Sequence, residues 1–167
     1  MTRGSSVVER SAHTAEVAGS IPAPASLWRP SAHLTAHELA CHDGTPYPDG
    51  WRVSRGEPLA LEFERIRLAC GGLPIRVLSA YRTAPHNRAV GGALQSQHVQ
   101  GRALDLAPPS RWSLERFYAV VRGVARLDAS AIHGLGRYPT FVHIDIRPIA
   151  ASKLVVWSGS RAWADLQ

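Results

Sequence analysis

The sequence predicts an α+β fold in which helices pack on a mainly antiparallel sheet. Two long segments place apolar residues at helical spacing, and several shorter ones alternate apolar and polar residues as strands do. Helices and strands follow one another without the regular strand and helix repeat of a parallel sheet. The chain has 167 residues, 45% of them hydrophobic and 19% charged, which suits one compact globular domain.

The N-terminal segment, residues 1–30, differs in composition from the rest of the chain. It contains three prolines and many serines and alanines without sustained apolar periodicity, which predicts a disordered leader. Residues 4–26 also resemble the translation of a transfer-RNA gene, which indicates an over-extended start. The expected domain covers residues 31–160, and a C-terminal tail follows at 161–167.

Capping patterns mark the first two predicted helices. Thr35 and Glu38 have the spacing of a capping box, which opens a short helix that runs to Ala40. Ser54 and Glu57 repeat this spacing ahead of a longer helix. The apolar stripe of that helix, which we expect to be buried, consists of Leu59, Phe63, Ile66 and Cys70.

Glycines end this second helix, and a serine opens the third. Gly71 and Gly72 stop the second helix, because glycine adopts the left-handed conformation that ends helices. Ser113 is the expected N-cap of the third helix. Its apolar positions are Leu114, Phe117, Val121 and Val124.

Four strands are predicted between and after these helices. The first two cover residues 75–79 and 102–106, and the last two cover residues 141–146 and 154–157. Residues 83–100 contain several glycines and glutamines and are predicted to form a long loop. Loops of that length in compact domains usually carry a function.

Charge and cysteine content narrow the classes of function. A formal net charge of +6 and a pI near 10.1 favour anionic surroundings. The arginines are scattered without a basic run or interleaved aromatics, which argues against nucleic-acid binding. No window holds the roughly 18 uninterrupted apolar residues that a membrane helix needs. Cys41 and Cys70 either form one disulfide or are buried as small hydrophobic side chains.

Two of the eight histidines lie in patterns that suit metal binding. His98 opens the run HVQGRALD, in which Gly101 permits a tight turn and the next strand returns Asp105 to its side. His143 lies in FVHIDI and shares one strand face with Asp145. Three imidazole or carboxylate ligands with an open fourth position make a hydrolytic zinc site. The remaining histidines are expected to be solvated or hydrogen-bonded: His13, His33, His37, His42, His86 and His133.

Three segments carry a family resemblance: SAYRT at residues 79–83, SQHVQGRALD at 96–105 and GRYPTFVHID at 136–145. They resemble the zinc D-Ala-D-Ala carboxypeptidase family, whose fold is shared with hedgehog signalling domains. The similarity extends from about residue 34 to about residue 157. It implies one zinc ion per chain, held by His98, Asp105 and His143, which are the residues that the local pattern also brings together.

The resemblance also implies roles at the substrate. Ser96 is expected to lie beside the substrate. Arg82 is expected to bind a peptide carboxylate or to stabilise charge on the attacked carbonyl, since a planar guanidinium suits both tasks. The alternative for Arg82 is a salt bridge at a strand end. Tyr138 either lines the pocket or packs in the structure.

The sequence departs from the family pattern at the position where the general base is expected. Many relatives carry Glu or Asp three residues before the third ligand, where this chain has Thr140, which cannot take a proton. Asp145 is the nearest carboxylate along the strand and is the predicted base. The alternative is that Asp145 orients His143 through its second ring nitrogen.

The activity that the resemblance implies is hydrolysis of the peptidoglycan stem peptide, by a D-Ala-D-Ala carboxypeptidase or an endopeptidase, with phage lysis as one setting. The alternative is a non-catalytic, zinc-containing module that binds the cell wall or a partner, because Thr140 replaces the usual acid. A monomer is expected. Residues 1–30 lack the apolar core of a secretory signal. The protein is therefore expected to be made in the cytoplasm and to reach the wall after lysis or from a different start.

Overall fold

The computed structural model of the chain describes residues 27–148 and 154–159. Residues 1–26 of the predicted leader and the whole predicted tail lie outside the described residues. Trp28, which the composition assigns to the leader, packs against Tyr47, with ring centroids 5.6 Å apart. Packed structure therefore begins before residue 31.

In the part of the chain that the structure describes, five short strands form one mixed sheet. They are β1 (Arg76–Ser79), β2 (Ala103–Ala107), β3 (Gly134–Arg137), β4 (Val142–Asp145) and β5 (Val155–Ser158). The spatial order is β1-β2-β4-β3-β5, and β5 is parallel to β3 whereas the other neighbours are antiparallel. The predicted α+β class with a mainly antiparallel sheet is confirmed. Strand β3 was not predicted.

Within the described residues, four α-helices accompany the sheet, namely α1 (Ala36–Leu39), α2 (Glu57–Ala69), α3 (Ala84–Ala89) and α4 (Leu114–Val124). The two longer ones, α2 and α4, pack with one face of the sheet in the main hydrophobic core. That core includes Leu59, Phe63, Ile66, Phe117, Val121, Leu104, Leu106, Leu135 and Ile144. Because side chains alternate along a strand, the residues between these core positions face the other side of the sheet.

Two of the predicted caps are confirmed. The Thr35 hydroxyl accepts from the Glu38 backbone N–H, and the Glu38 carboxylate accepts from the Thr35 N–H, so the capping box is complete. The Ser113 hydroxyl accepts from the Arg116 N–H at 3.2 Å at the start of α4.

The predicted cap at Ser54 is wrong. Ser54 lies inside a π-helical turn, Arg52–Gly56, and Gly56 is the N-cap of α2. Pro58 explains the later start, because proline lacks a backbone donor and is favoured in the first helical turn.

The predicted loop at residues 83–100 contains a helix. Thr83 caps α3 by accepting from the His86 N–H at 3.2 Å, and Pro85 lies in the first turn. The chain then returns through turns to His98, whose carbonyl accepts from the Arg82 N–H at 3.2 Å.

Both cysteines are free and buried, so of the two alternatives for Cys41 and Cys70 the structure shows the buried thiols and no disulfide. No helix within the two described ranges has the length and apolarity to cross a membrane.

Candidate metal centre

The strand register aligns five residues in a row across the sheet. Ser79 of β1 pairs with Asp105 of β2, and Asp105 pairs with His143 of β4. His143 pairs in turn with Gly136 of β3, which pairs with Trp157 of β5. Asp105 and His143 alternate with core residues, so both lie on the sheet face away from α2 and α4.

His98, Asp105 and His143 bring one ligand atom each to a common point. His98 Nε2 is 3.2 Å from His143 Nδ1 and 3.2 Å from Asp105 Oδ1, and the latter two atoms are 2.8 Å apart. None of the three residues is more than 7% exposed. Tetrahedral zinc with bonds of about 2.0 to 2.1 Å separates its ligand atoms by about 3.4 Å. The triangle therefore fits zinc after widening by a few tenths of an ångström.

Hydrogen-bond partners define the tautomer of His98 and suit a metal at His143. His98 Nδ1 is 2.5 Å from the Ala80 carbonyl oxygen and must donate to it, so His98 Nε2 is the unprotonated nitrogen. His143 lies between two carboxylates, with Nδ1 2.8 Å from Asp105 Oδ1 and Nε2 3.2 Å from Asp145 Oδ2. When Nε2 donates to Asp145, Nδ1 is free to act as a metal ligand together with His98 Nε2 and Asp105 Oδ1. The donor set therefore fits a bound metal ion.

The electrostatics of the centre favour a cation at this point. Burial lowers the pKa of His143, but hydrogen bonds to Asp105 and Asp145 outweigh burial and raise the pKa above its ordinary value. Burial opposes ionisation of Asp105, yet His98 and His143 together hold its pKa well below the usual range. The pKa of His98 is lowered, mainly by burial, which keeps this ring neutral as a ligand must be.

Arg82 holds the candidate ligand Asp105 in place. Its Nη2 donates to Asp105 Oδ2 at 2.6 Å, and its Nε donates to the Ser79 hydroxyl at 2.8 Å. Arg82 is only 6% exposed. The salt bridge considered as an alternative for Arg82 exists, and its partner belongs to the metal centre.

A family model described as peptidase M15 matches residues 32–145, which is more than half of the chain and includes all three candidate ligands. The chain belongs to the peptidase M15 family. This membership confirms the resemblance to zinc D-Ala-D-Ala carboxypeptidases, and M15 peptidases are zinc-dependent metallopeptidases. No curated protein matches the sequence.

A cleft of about 310 Å³ opens beside the metal centre of this M15 chain. Two predicted substrate residues, Ser96 and Tyr138, line it. The Ser96 hydroxyl accepts from the His98 N–H at 3.3 Å, so Ser96 also shapes the turn that carries a candidate ligand. Tyr138 stacks on Phe141 with centroids 4.4 Å apart, and its hydroxyl accepts from Trp157 Nε1 at 3.2 Å.

Asp145 lies behind the candidate metal centre and does not line this cleft. It is fully buried, and its carboxylate accepts from Arg147 Nε at 2.7 Å and Arg147 Nη2 at 2.6 Å, besides its contact with His143. Burial raises the pKa of Asp145, but the bonds from Arg147 and His143 outweigh burial and lower it. Thr140 is exposed. Asp105 is the sole carboxylate residue among those lining the cleft in the described parts of the chain.

Two cleft residues of this peptidase, Arg147 and Trp157, were not predicted as site residues. Arg147 lies two positions after Asp145, so extending the strand alternation by one step would have found it. Trp157 reaches the centre across Gly136: a Cβ at Gly136 would lie 2.7 Å from the Trp157 ring, and that ring is 5.3 Å from the His143 ring. Gly136 in β3 was the sequence feature that could have indicated a large side chain packed against this strand.

Proposed function

We propose that this M15 peptidase hydrolyses peptide bonds in the stem peptides of bacterial peptidoglycan, with one zinc ion held by His98, Asp105 and His143. The observation that carries the proposal is the buried triangle of three lone-pair donors beside an open cleft. Three protein ligands leave one coordination position for solvent or substrate, which is the pattern of hydrolytic rather than structural zinc sites.

A zinc ion held by His98, Asp105 and His143 would supply a Lewis acid for the scissile carbonyl and would lower the pKa of water there to about 7. Arg82 uses Nη2 and Nε to hold Asp105 and Ser79, which leaves further guanidinium donors at the cleft. These donors suit the negative charge that develops on the attacked carbonyl oxygen. Arg82 therefore positions a ligand and stabilises the reacting group.

For Asp145, the contacts support the orienting role over the predicted role of general base. A base must reach the proton it abstracts, directly or through one water. Asp145 is fully buried, and its oxygens already accept from Arg147 and from His143 Nε2. In the orienting role Asp145 holds the His143 ring so that Nδ1 faces the metal, as carboxylates behind metal-bound histidines do.

The charge of the cleft supports an anionic peptide as substrate. Arg82 and Arg147 both line it, and Asp105 is its sole carboxylate within the described residues. Stem peptides carry a terminal carboxylate and further acidic groups, and guanidinium groups bind carboxylates in a planar, two-bond geometry. Ser96 and Tyr138 contribute hydroxyl groups beside these arginines.

Purified muropeptides incubated with the protein, followed by mass spectrometry, test this function. We expect products that disappear when a chelator is added and return with zinc. Loss of a terminal D-alanine would identify a carboxypeptidase, and cleavage of an internal or cross-linking bond would identify an endopeptidase. Absence of any chelator-sensitive product from zinc-loaded protein would overturn the proposal.

The second candidate is a zinc-containing module that binds the wall without cutting it. The observation in its favour is that Asp105 is the sole carboxylate lining the cleft in the described segments, so no side chain there replaces the usual acid. Co-sedimentation of the protein with purified cell walls, without soluble products, would support this candidate. Under either function we propose the cell wall as the site of action and a monomer as the state of the protein.

A further inference from the structure

A second cluster of metal-binding side chains lies beside Thr83, the residue that follows Arg82. The Cys41 sulfur, a carboxylate oxygen of Asp43 and a ring nitrogen of His86 all lie within 4.8 Å of one another. We propose that Cys41, Asp43 and His86 bind a second divalent cation of the zinc class, with solvent completing the coordination. None of these residues belongs to the centre at His98.

The contacts of Cys41 and Asp43 prepare both side chains for a cation. Cys41 is 4% exposed, and the Thr83 backbone N–H donates to its sulfur at 3.4 Å. Asp43 accepts from the Thr83 hydroxyl at 2.5 Å and from the Thr45 N–H at 2.9 Å. Thr83 thus donates to both Cys41 and Asp43, so the thiol and the carboxylate share one neighbour.

The donor types select the class of metal. One sulfur, one imidazole nitrogen and one carboxylate oxygen suit zinc or cobalt, whereas calcium and magnesium require oxygen ligands. Zinc ligand atoms lie about 3.3 to 3.8 Å apart, so the cluster needs to contract by at most about 1 Å. Asp43 is exposed and His86 is half-buried, so both side chains have room to rotate.

A cation here joins two segments that lie far apart in sequence. Cys41 and Asp43 belong to a tight turn in which the Cys41 N–H donates to the Thr45 carbonyl at 2.9 Å. His86 belongs to the first turn of α3, whose N-cap is Thr83. The bound ion would stiffen the chain next to Arg82, which holds Asp105. This inference does not depend on the proposed peptidase function.

Cobalt substitution of the full chain tests the proposal, because cobalt bound to a thiolate gives a sulfur-to-metal charge-transfer band. The centre at His98 contains no sulfur, so that band reports the second site alone. We expect metal-stripped protein to take up two cobalt ions per chain and to show the band. The Cys41→Ser variant should bind one ion without the band, whereas the matched Cys70→Ser variant should keep both ions and the band.

Two further variants test the second site without the risk that Cys41→Ser fails to fold and without a contribution from the first site. His86→Asn changes a half-buried residue and should lower the affinity for the second ion by at least roughly tenfold. Loss of a residue that only supports a ligand already costs about that much. His98→Ala should lose the first ion and retain the band. Uptake of a single ion without the band, or a band that survives Cys41→Ser, would overturn the second site.

Discussion

Asp105 and His143 face each other across β2 and β4, and Asp105 Oδ1 is 2.8 Å from His143 Nδ1. The antiparallel register alone brings these two side chains together, because residues directly opposite have their Cβ atoms about 4.5 to 5.5 Å apart. His98 joins them from the turn before β2, where its ring is held by the Ala80 carbonyl. Each of these contacts gives a measurable expectation.

The ligand set predicts the effect of removing one imidazole. His98→Ala should lower the zinc content by one ion per chain, because the two remaining ligands of this centre do not make a stable site. Metal content after gel filtration measures this. His37→Ala provides the control, since His37 is exposed on α1 and should leave zinc content unchanged. A zinc content of His98→Ala equal to that of the wild type would exclude His98 from the ligand set.

The position of Asp145 separates two roles. Asp145→Asn should lower zinc affinity by about 10- to 100-fold, because the His143 ring loses its carboxylate partner. At saturating zinc, the turnover number of Asp145→Asn should fall by no more than about 10- to 100-fold relative to the wild type. A competition titration with a zinc indicator and a muropeptide assay measure both quantities. Unchanged affinity with abolished turnover would instead identify Asp145 as the base.

Gly134 of β3 makes room for Asp145. A Cβ at Gly134 would lie 2.1 Å from Asp145 Oδ2, so Gly134→Ala must displace the carboxylate. We expect this variant to lose about 1 to 3 kcal/mol of unfolding free energy and to bind zinc more weakly. Gly123→Ala in α4 is the matched control. A Cβ there meets no atom within 4 Å, and helix propensity predicts a gain of up to about 1 kcal/mol.

The contacts of Arg82 predict that a positive charge at this position is not enough for full activity. Arg82→Lys cannot reproduce the two bonds to Asp105 and Ser79 together with donors at the cleft. We expect kcat/KM to fall by about 10² to 10³, the cost of losing a preorganised donor to the reacting oxygen. Arg88→Lys, an exposed change on α3, serves as control. Equal activity of the two variants would exclude Arg82 from the reaction.

Zinc removal should destabilise the fold. A ligand that binds only the folded chain contributes about 2.7 kcal/mol at a concentration 100 times its Kd. For a chain of this size that corresponds to a Tm shift of roughly 5 to 10 °C. Thermal melting with excess zinc and with chelator measures the difference. A Tm that is equal under both conditions would contradict a buried site.

Much of the fold was predictable because local chemistry agrees with the tertiary structure. The caps at Thr35 and Ser113 and the apolar stripes of α2 and α4 follow from short-range rules. Strand β3 was missed because Gly134 and Gly136 lower strand propensity. Tertiary packing overrides that preference, since Asp145 and Trp157 occupy the space that the missing side chains leave.

The candidate site was predictable only as far as sequence neighbours define it. His98 and Asp105 lie in one run, and His143 lies in an alternating strand, so spacing and family resemblance suffice for these three. The orientation of Asp145 away from the cleft depends on its pairing with Arg147 and on the register with β3. Neither contact is encoded in local spacing. The cluster of Cys41, Asp43 and His86 likewise forms only when α3 meets the turn at residues 41–45.

The five paired residues that cross the sheet from Ser79 to Trp157 form a row, and this row makes the centre intolerant of insertions within strands. Adding one residue inside β2 or β4 would rotate Asp105 or His143 toward the helices and would send a leucine or isoleucine into the cleft. Lengthening the connections between strands leaves the row intact. Proteins built on this scaffold should therefore differ in the lengths of their loops, whereas the number of residues in each strand should stay the same.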